Sequence, residues 1–290
     1  MDTKFICEIG SNHNQNLNRV AKLIRAAKEI GCWAVKFQFF EADKLYSHEF
    51  KDKIEQMKNW ELPDHFIPVI RNYCNHYDIK FGCSVFNAND VNIIKNHVDF
   101  LKIGSYELLN TKLIKTVSQA KKPWMISMGL CPSPVYIQDL LSIFSTQPTV
   151  FFHCNSNYPA EVQNCELNKI KIMKKLHMFN NDSIFYSSIG WSDHTVQPGI
   201  IYQSIAQGAE YIEFHMDLED KKGFEYSAGH CWLPEKIQEV ITNVQVGEKA
   251  CNPSNNKKNN DEIKKWRMDP EDGMRPLKKH RKELLNELGK

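Results

Sequence analysis

Residues 5–38 read FICEIGSNHNQNLNRVAKLIRAAKEIGCWAVKFQ, and this stretch decides the fold. It opens on a β-rich run at 5–9 and closes on another at 33–38. Between them, from about 17 to 30, apolar residues recur at helical spacing. Gly31 follows, where a residue in the left-handed region ends a helix. A strand, a helix and a second strand in so short a span form a βαβ unit, which makes the two strands parallel.

The same alternation continues outward from this unit. Residues 79–84, 99–103, 123–127, 149–153, 187–191 and 211–215 read as six further strands. Helical patterns run from about 63 to 77 and from about 234 to 249. A long insertion at about 39–62 is rich in charge and aromatics. Eight strands alternating with helices predict an α/β fold, and the count favours a closed (β/α)8 TIM barrel over an open sheet. The barrel is expected to occupy residues 1–250. The short C-terminal extension, 251–290, begins with a polar linker at 252–260 and ends in a basic segment at 275–290. That segment is expected to be a solvated amphipathic helix packed on the barrel.

Composition narrows the function. Of 290 residues, 42% are hydrophobic and 25% charged, typical of a globular chain. The net charge of +2 gives no case for bulk binding to nucleic acid or to a membrane surface. No apolar run is long enough to span a bilayer, and the N-terminus lacks an apolar leader segment. The nine cysteines are scattered, with no CxxC pair, so reduced thiols in a cytoplasmic protein are expected. Without a P-loop or GxGxxG, no nucleotide cofactor is indicated.

In a barrel the chemistry sits at the C-terminal strand ends, and here every strand ends in polar groups. These are Glu8, then Lys36 and Gln38, Ser84, Lys102 with Ser105 and Glu107, and Ser127. Strand six brings His153, Asn155, Ser156 and Tyr158. Strand seven brings Ser192, Asp193 and His194, and strand eight Glu213 and His215. Taken singly, each has a bland reading. A lone Lys pairs with a nearby carboxylate, a lone Ser caps a helix, and His13 and His153 are structural histidines. Taken together they argue for a site, because buried charge is costly unless paired or used. His194 and His215, on neighbouring strand ends, either share one divalent metal or are two structural histidines. Lys36, Lys102 and the serines suit a substrate carrying phosphate and carboxylate.

The motifs resemble those of the sialic acid (nonulosonic acid) synthase family. They are Ile6-Cys7-Glu8-Ile9-Gly10-Ser11-Asn12-His13, Ala34-Val35-Lys36-Phe37-Gln38 and Leu101-Lys102-Ile103-Gly104-Ser105. Further on come His153-Cys154 with Tyr158-Pro159, Gly190-Trp191-Ser192-Asp193-His194-Thr195 and Ile212-Glu213-Phe214-His215. They stand in family order across roughly residues 4–248.

The resemblance implies a transferase that condenses phosphoenolpyruvate with an aldose such as N-acetylmannosamine, giving a 2-keto-3-deoxy sugar acid and phosphate. It implies a divalent metal, usually Mn2+ with Mg2+ or Co2+ as alternatives, on His194 and His215. It assigns phosphoenolpyruvate to Lys36, Lys102, Ser84, Ser105 and Ser127. Glu8, Glu107 and Asp193 would orient sugar or water or move protons, and Glu213 would support the metal histidines. Gln38, Asn155, Tyr158 and Ser192 complete the substrate contacts, and a homodimer stays open. A metal-dependent barrel hydrolase or isomerase is the competing reading, but it has no use for the paired lysines.

The sequence departs from the family in three places. The family's C-terminal antifreeze-like domain, which lends an Arg to the sugar site, has no match here. Ser156 stands where the family has Asn. Residues 223–234 also depart from the Gly-Pro-Asp pattern, so Glu225, His230, Arg267 or Arg275 is expected to take over the sugar contacts.

Overall fold

The computed structural model describes residues 2–131, 146, 148–179, 188–251 and 286. Ser187, Arg267, Arg275, the linker at 252–260 and the segment at 275–290 lie outside the described residues. Met1–Val246 form one compact unit, and Gly247–Lys290 a second of which little is described.

The strands are β1 (Lys4–Gly10), β2 (Ala34–Phe39), β3 (Lys80–Val85), β4 (Phe100–Ile103), β5 (Trp124–Ser127), β6 (Val150–Cys154), β7 (Ser188–Asp193) and β8 (Tyr211–Met216). Each pairs in parallel with the next, and β1 pairs with β8, which closes the barrel. The described helices are α1 (Leu17–Glu29), α2 (Ala42–Leu45), α3 (Lys51–Lys58), α4 (Ile67–His76), α5 (Ala88–Ile94), α6 (Thr111–Ser118), α7 (Asn168–Phe179), α8 (Pro198–Ala206) and α9 (Pro234–Cys251).

Local chemistry sets several boundaries. The Asn16 side chain accepts from the Arg19 amide and starts α1, an N-cap worth about 1 kcal/mol. Val20, Leu23, Ile24 and Ala27 form the buried stripe of that helix. At α5, Asn87 and Asp90 form a reciprocal capping box. The insertion expected at 39–62 folds into α2 and α3 around its own small core of Phe40, Ala42, Ile54 and Met57.

The period-two alternation of the strands decides what faces the cavity. One parity turns toward the surrounding helices and carries Cys7, Val35, Phe37, Leu101, Ile103, Trp191 and Phe214. The other parity fills the barrel interior with Ile6, Ala34, Phe100, Met125, Val150 and Phe152. A Cβ at Gly190 would overlap the Phe152 ring, so glycine there lets that ring fill the floor. Two residues further along the inward parity stand Glu8, Lys36, Lys102, Ser127 and Cys154, and on β7 and β8 Ser192 and Glu213. The apolar plug thus ends where the polar layer begins.

A ninth strand, β9 (Cys231–Trp232), pairs in parallel with His215–Met216. Two residues are too few to show a period, so the sequence does not announce it.

Candidate active site

The polar layer is built around two lysines and two carboxylates, all buried. Lys36 Nζ contacts Glu8 and Ser84 Oγ, the latter at 2.6 Å, and stands 3.8 Å from Glu213 Oε2. Lys102 Nζ donates to Glu213 Oε1 at 2.5 Å and lies 4.3 Å above the Phe152 ring centre. Ser192 Oγ donates to the same Glu213 oxygen at 3.0 Å. Strand register explains the meeting, since Glu8 is paired with Lys36 across β1–β2 and Ser84 with Lys102 across β3–β4.

This packing shifts the acidities. Burial pulls the Lys36 ammonium down to about 8, against the pull of Glu213. Burial would raise Glu213, but Lys102 and Lys36 outweigh it and hold that carboxyl at about 2. Glu107 is buried, and desolvation pushes it up to about 7. Its carboxyl folds back over Gly104, where a Cβ would stand 2.5 Å from it. The Ser105 hydroxyl accepts from the Gly129 amide at 3.1 Å and touches Cys154 Sγ at 3.2 Å. Ser127 is buried at the end of β5, and Gln38 is half-buried beyond Lys36.

Beside the lysines lies a cluster of imidazoles. The ring centres of His194 and His215 are 5.5 Å apart, and those of His215 and His230 are 4.6 Å apart. Tyr158 packs on all three rings, at 4.0 Å from His194, 5.7 Å from His215 and 5.1 Å from His230. His194 Nδ1 bonds to the Asn155 carbonyl at 2.7 Å, and His215 Nδ1 bonds to Glu225 Oε2 at 2.7 Å. Burial pulls the pKa of both histidines down, further down for His194 through His215 and partly offset for His215 by Glu225. Neutral rings with Nδ1 engaged present Nε2 lone pairs, the state in which imidazole binds a metal. The set therefore fits a divalent first-row ion.

Not every residue singled out in the sequence reaches the cavity. Asp193 has the parity of Trp191 and faces outward. Its Oδ1 accepts from Trp191 Nε1 at 3.3 Å and Thr195 Oγ1 at 2.7 Å, and its Oδ2 from Trp232 Nε1 at 3.0 Å and the Val196 amide at 3.2 Å. It ties β7 to β9 and has no acceptor left for a substrate. Asp193→Ala would strip acceptors from buried donors at about 1–3 kcal/mol each. We expect a loss of at least about 3 kcal/mol in a denaturant melt, with the KM of the folded enzyme unchanged. Asn155 enters through its main-chain carbonyl, while its side-chain amide donates to the Asn164 carbonyl at 2.9 Å. His153, read as structural, bonds to the Cys165 carbonyl at 2.8 Å on the outward face.

Residues 23–256 match the NeuB family. The chain belongs to the NeuB family. N,N'-diacetyllegionaminic acid synthase of Legionella pneumophila is 29% identical over 286 residues, covering 89% of this chain and 76% of that protein. N-acetylneuraminate-9-phosphate synthase of Homo sapiens is 25% identical over 261 residues, 85% of this chain and 70% of that one. Among solved structures, the N-acetylneuraminic acid (sialic acid) synthetase of Leptospira borgpetersenii superposes with a TM-score of 0.79 at 22% identity. That match covers 100% of this chain and 92% of the other and supports the barrel fold. For this NeuB chain the sequence alone left Glu225 and His230 as stand-ins for sugar contacts. The structure places both against His215. No periodicity marks them, because they sit in the long connection after β8.

Proposed function

We propose that this protein is a synthase that condenses phosphoenolpyruvate with the aldehyde of an amino sugar, releasing phosphate and a 2-keto-3-deoxy sugar acid. Membership of the NeuB family supports a sialic acid synthase-type condensation. The observation that carries the finer reading is the buried Lys36–Glu8–Glu213–Lys102 cluster beside the imidazoles. Glu8 and Glu213 balance the two buried cations in this structure, and each ammonium, with three N–H donors, keeps at least one for an incoming anion. A substrate with phosphate and carboxylate groups engages both lysines together with Ser84, Ser105, Ser127 and Ser192.

The chain's residues then divide the work. The lysines hold phosphoenolpyruvate with its C3 free. His194 and His215 would hold a divalent ion, Mn2+ by family resemblance, which when bound would supply Lewis acidity for the aldehyde carbonyl. The C3–C1 bond forms as the aldehyde oxygen takes a proton from Glu107. Water adds to the cationic C2 and yields one proton to Glu8, and the C2–O bond to phosphate then breaks as the new C2 hydroxyl passes its remaining proton to the departing phosphate and becomes the ketone. A groove of about 490 Å³ is lined by Gln56, Asn59, Trp60, Phe224, Ser227 and Ala228. In it Trp60 and Phe224 stack on one another with their planes 3° apart.

The test is phosphate release from phosphoenolpyruvate with Mn2+ and a panel of aldoses. Release that depends on one aldose is expected, and none across the panel would overturn the reading. The Glu107 assignment has its own signature. With its carboxyl raised to about 7 by burial, the acid form dominates below that value. We expect kcat/KM to fall as pH rises through about 7, and Glu107→Gln to be slow and flat across that range.

A further inference from the structure

The segment after β8 brings two groups to the imidazole cluster that the reaction above does not use. Glu225 lies under the barrel mouth, where its Oε1 accepts from the Ser11 amide at 2.6 Å. Its own amide donates to Asn12 Oδ1 at 2.8 Å. Gly10, at φ +53°, makes this possible, because a Cβ there would overlap the carboxylate. Glu225 Oε2 then meets His215 Nδ1 at 2.7 Å and His230 Nε2 at 3.6 Å. His230 is buried, and its Nδ1 has no hydrogen-bond partner among the described residues. An unpaired buried polar nitrogen is costly, so it calls for a ligand.

The spacing agrees with a shared ion. One donor atom each from His215, Glu225 and His230 lie within 4.8 Å of one another. Imidazoles around one ion at about 2.1 Å per bond have ring centres roughly 4.5 Å apart at a right angle and roughly 6.4 Å apart when opposed. The three separations here are 4.6, 5.5 and 6.5 Å for His215–His230, His194–His215 and His194–His230.

We propose that His230 is a third imidazole ligand, beside His194 and His215, of the divalent metal at the barrel mouth, and that Glu225 ties His215 and His230 into one unit. This rests on the metal role given above to His194 and His215. Three imidazoles favour Mn2+, Co2+ or Zn2+ over Mg2+, which prefers oxygen ligands.

The experiment needs no turnover. X-ray absorption on the wild-type protein loaded with Co2+ counts imidazole ligands by their multiple scattering, and three are expected. Calorimetry with Co2+ on His230→Ala and His230→Asn is expected to show affinity weakened by about 100-fold or more, beyond what loss of an outer partner of a ligand costs. Two imidazoles in the wild type, no metal uptake, or wild-type affinity in both variants would each overturn the proposal. A protein that binds metal through three imidazoles but consumes no phosphoenolpyruvate would overturn the synthase reading and leave this centre standing.

Discussion

Lys102→Met is expected to abolish phosphoenolpyruvate-dependent turnover and to destabilise the barrel, and the two effects are separable. The Lys102 ammonium is buried against Glu213 Oε1 at 2.5 Å, over the face of Phe152. Removing it leaves the buried Glu213 with Ser192 and with Lys36 at 3.8 Å. Breaking a buried pair from one side costs about 3–5 kcal/mol. In a domain of this size that corresponds to roughly 6–20 °C in Tm. Lys102→Met with Glu213→Gln removes both charges and is expected to recover most of that stability. Activity is expected to stay down by about 1,000-fold or more in both, since each lacks the cation that, under the proposed function, meets the substrate's phosphate or carboxylate.

The pH dependence of this loss has a definite sign. Glu213 is held at about 2 against an ordinary 4.5. Its stabilising contribution is therefore present above about 4.5 and is lost as pH falls toward 2. Without Lys102, burial dominates and the carboxyl rises. The stability gap between wild type and Lys102→Met is thus expected to narrow as a melting series moves down from pH 6 toward pH 3.

His194→Ala is expected to fail at the other end of the cavity. It removes a neutral imidazole fixed by the Asn155 carbonyl and with it a metal ligand under the proposed function. Aldose-dependent phosphate release is expected to drop by about 1,000-fold or more, as removal of preorganised charge stabilisation does. Phosphoenolpyruvate binding should persist, because Lys36, Lys102 and their serines are untouched. Chelation of the wild type should give the same split, with added Mn2+ restoring the wild type but not the variant. Equal loss of phosphoenolpyruvate binding in His194→Ala would contradict this division of labour.

Much of the fold was legible because the strands carry strong periodic signals. The run read at 5–9 is β1, Lys4–Gly10, and the run at 211–215 is β8, Tyr211–Met216. The facing of the site was legible in principle as well. Ser192 and His194 share one parity while Trp191 and Asp193 share the other, so counting along β7 separates a cavity residue from a structural one. Grouping Asp193 with Glu8 by residue type alone overlooked that count. The Glu225–His230 arrangement was not legible. It depends on a connection without periodicity, on the two-residue strand β9, and on the space left at Gly10. Long-range closure of this kind belongs to tertiary packing, which spacing along one segment does not encode.

Membership of the NeuB family supports a sialic acid synthase-type condensation, and under the proposed function the lysine and imidazole ends of the cavity serve its two halves. No helix among the described residues is long and apolar enough to cross a membrane. The most direct test supplies uniformly 13C-labelled phosphoenolpyruvate, Mn2+ and the active aldose, and follows carbon NMR. The proposed function requires the labelled carbons to appear together in a sugar acid, with the former C3 as a methylene bonded to the unlabelled former aldehyde carbon. Label confined to free pyruvate, or left in unreacted phosphoenolpyruvate, would contradict it.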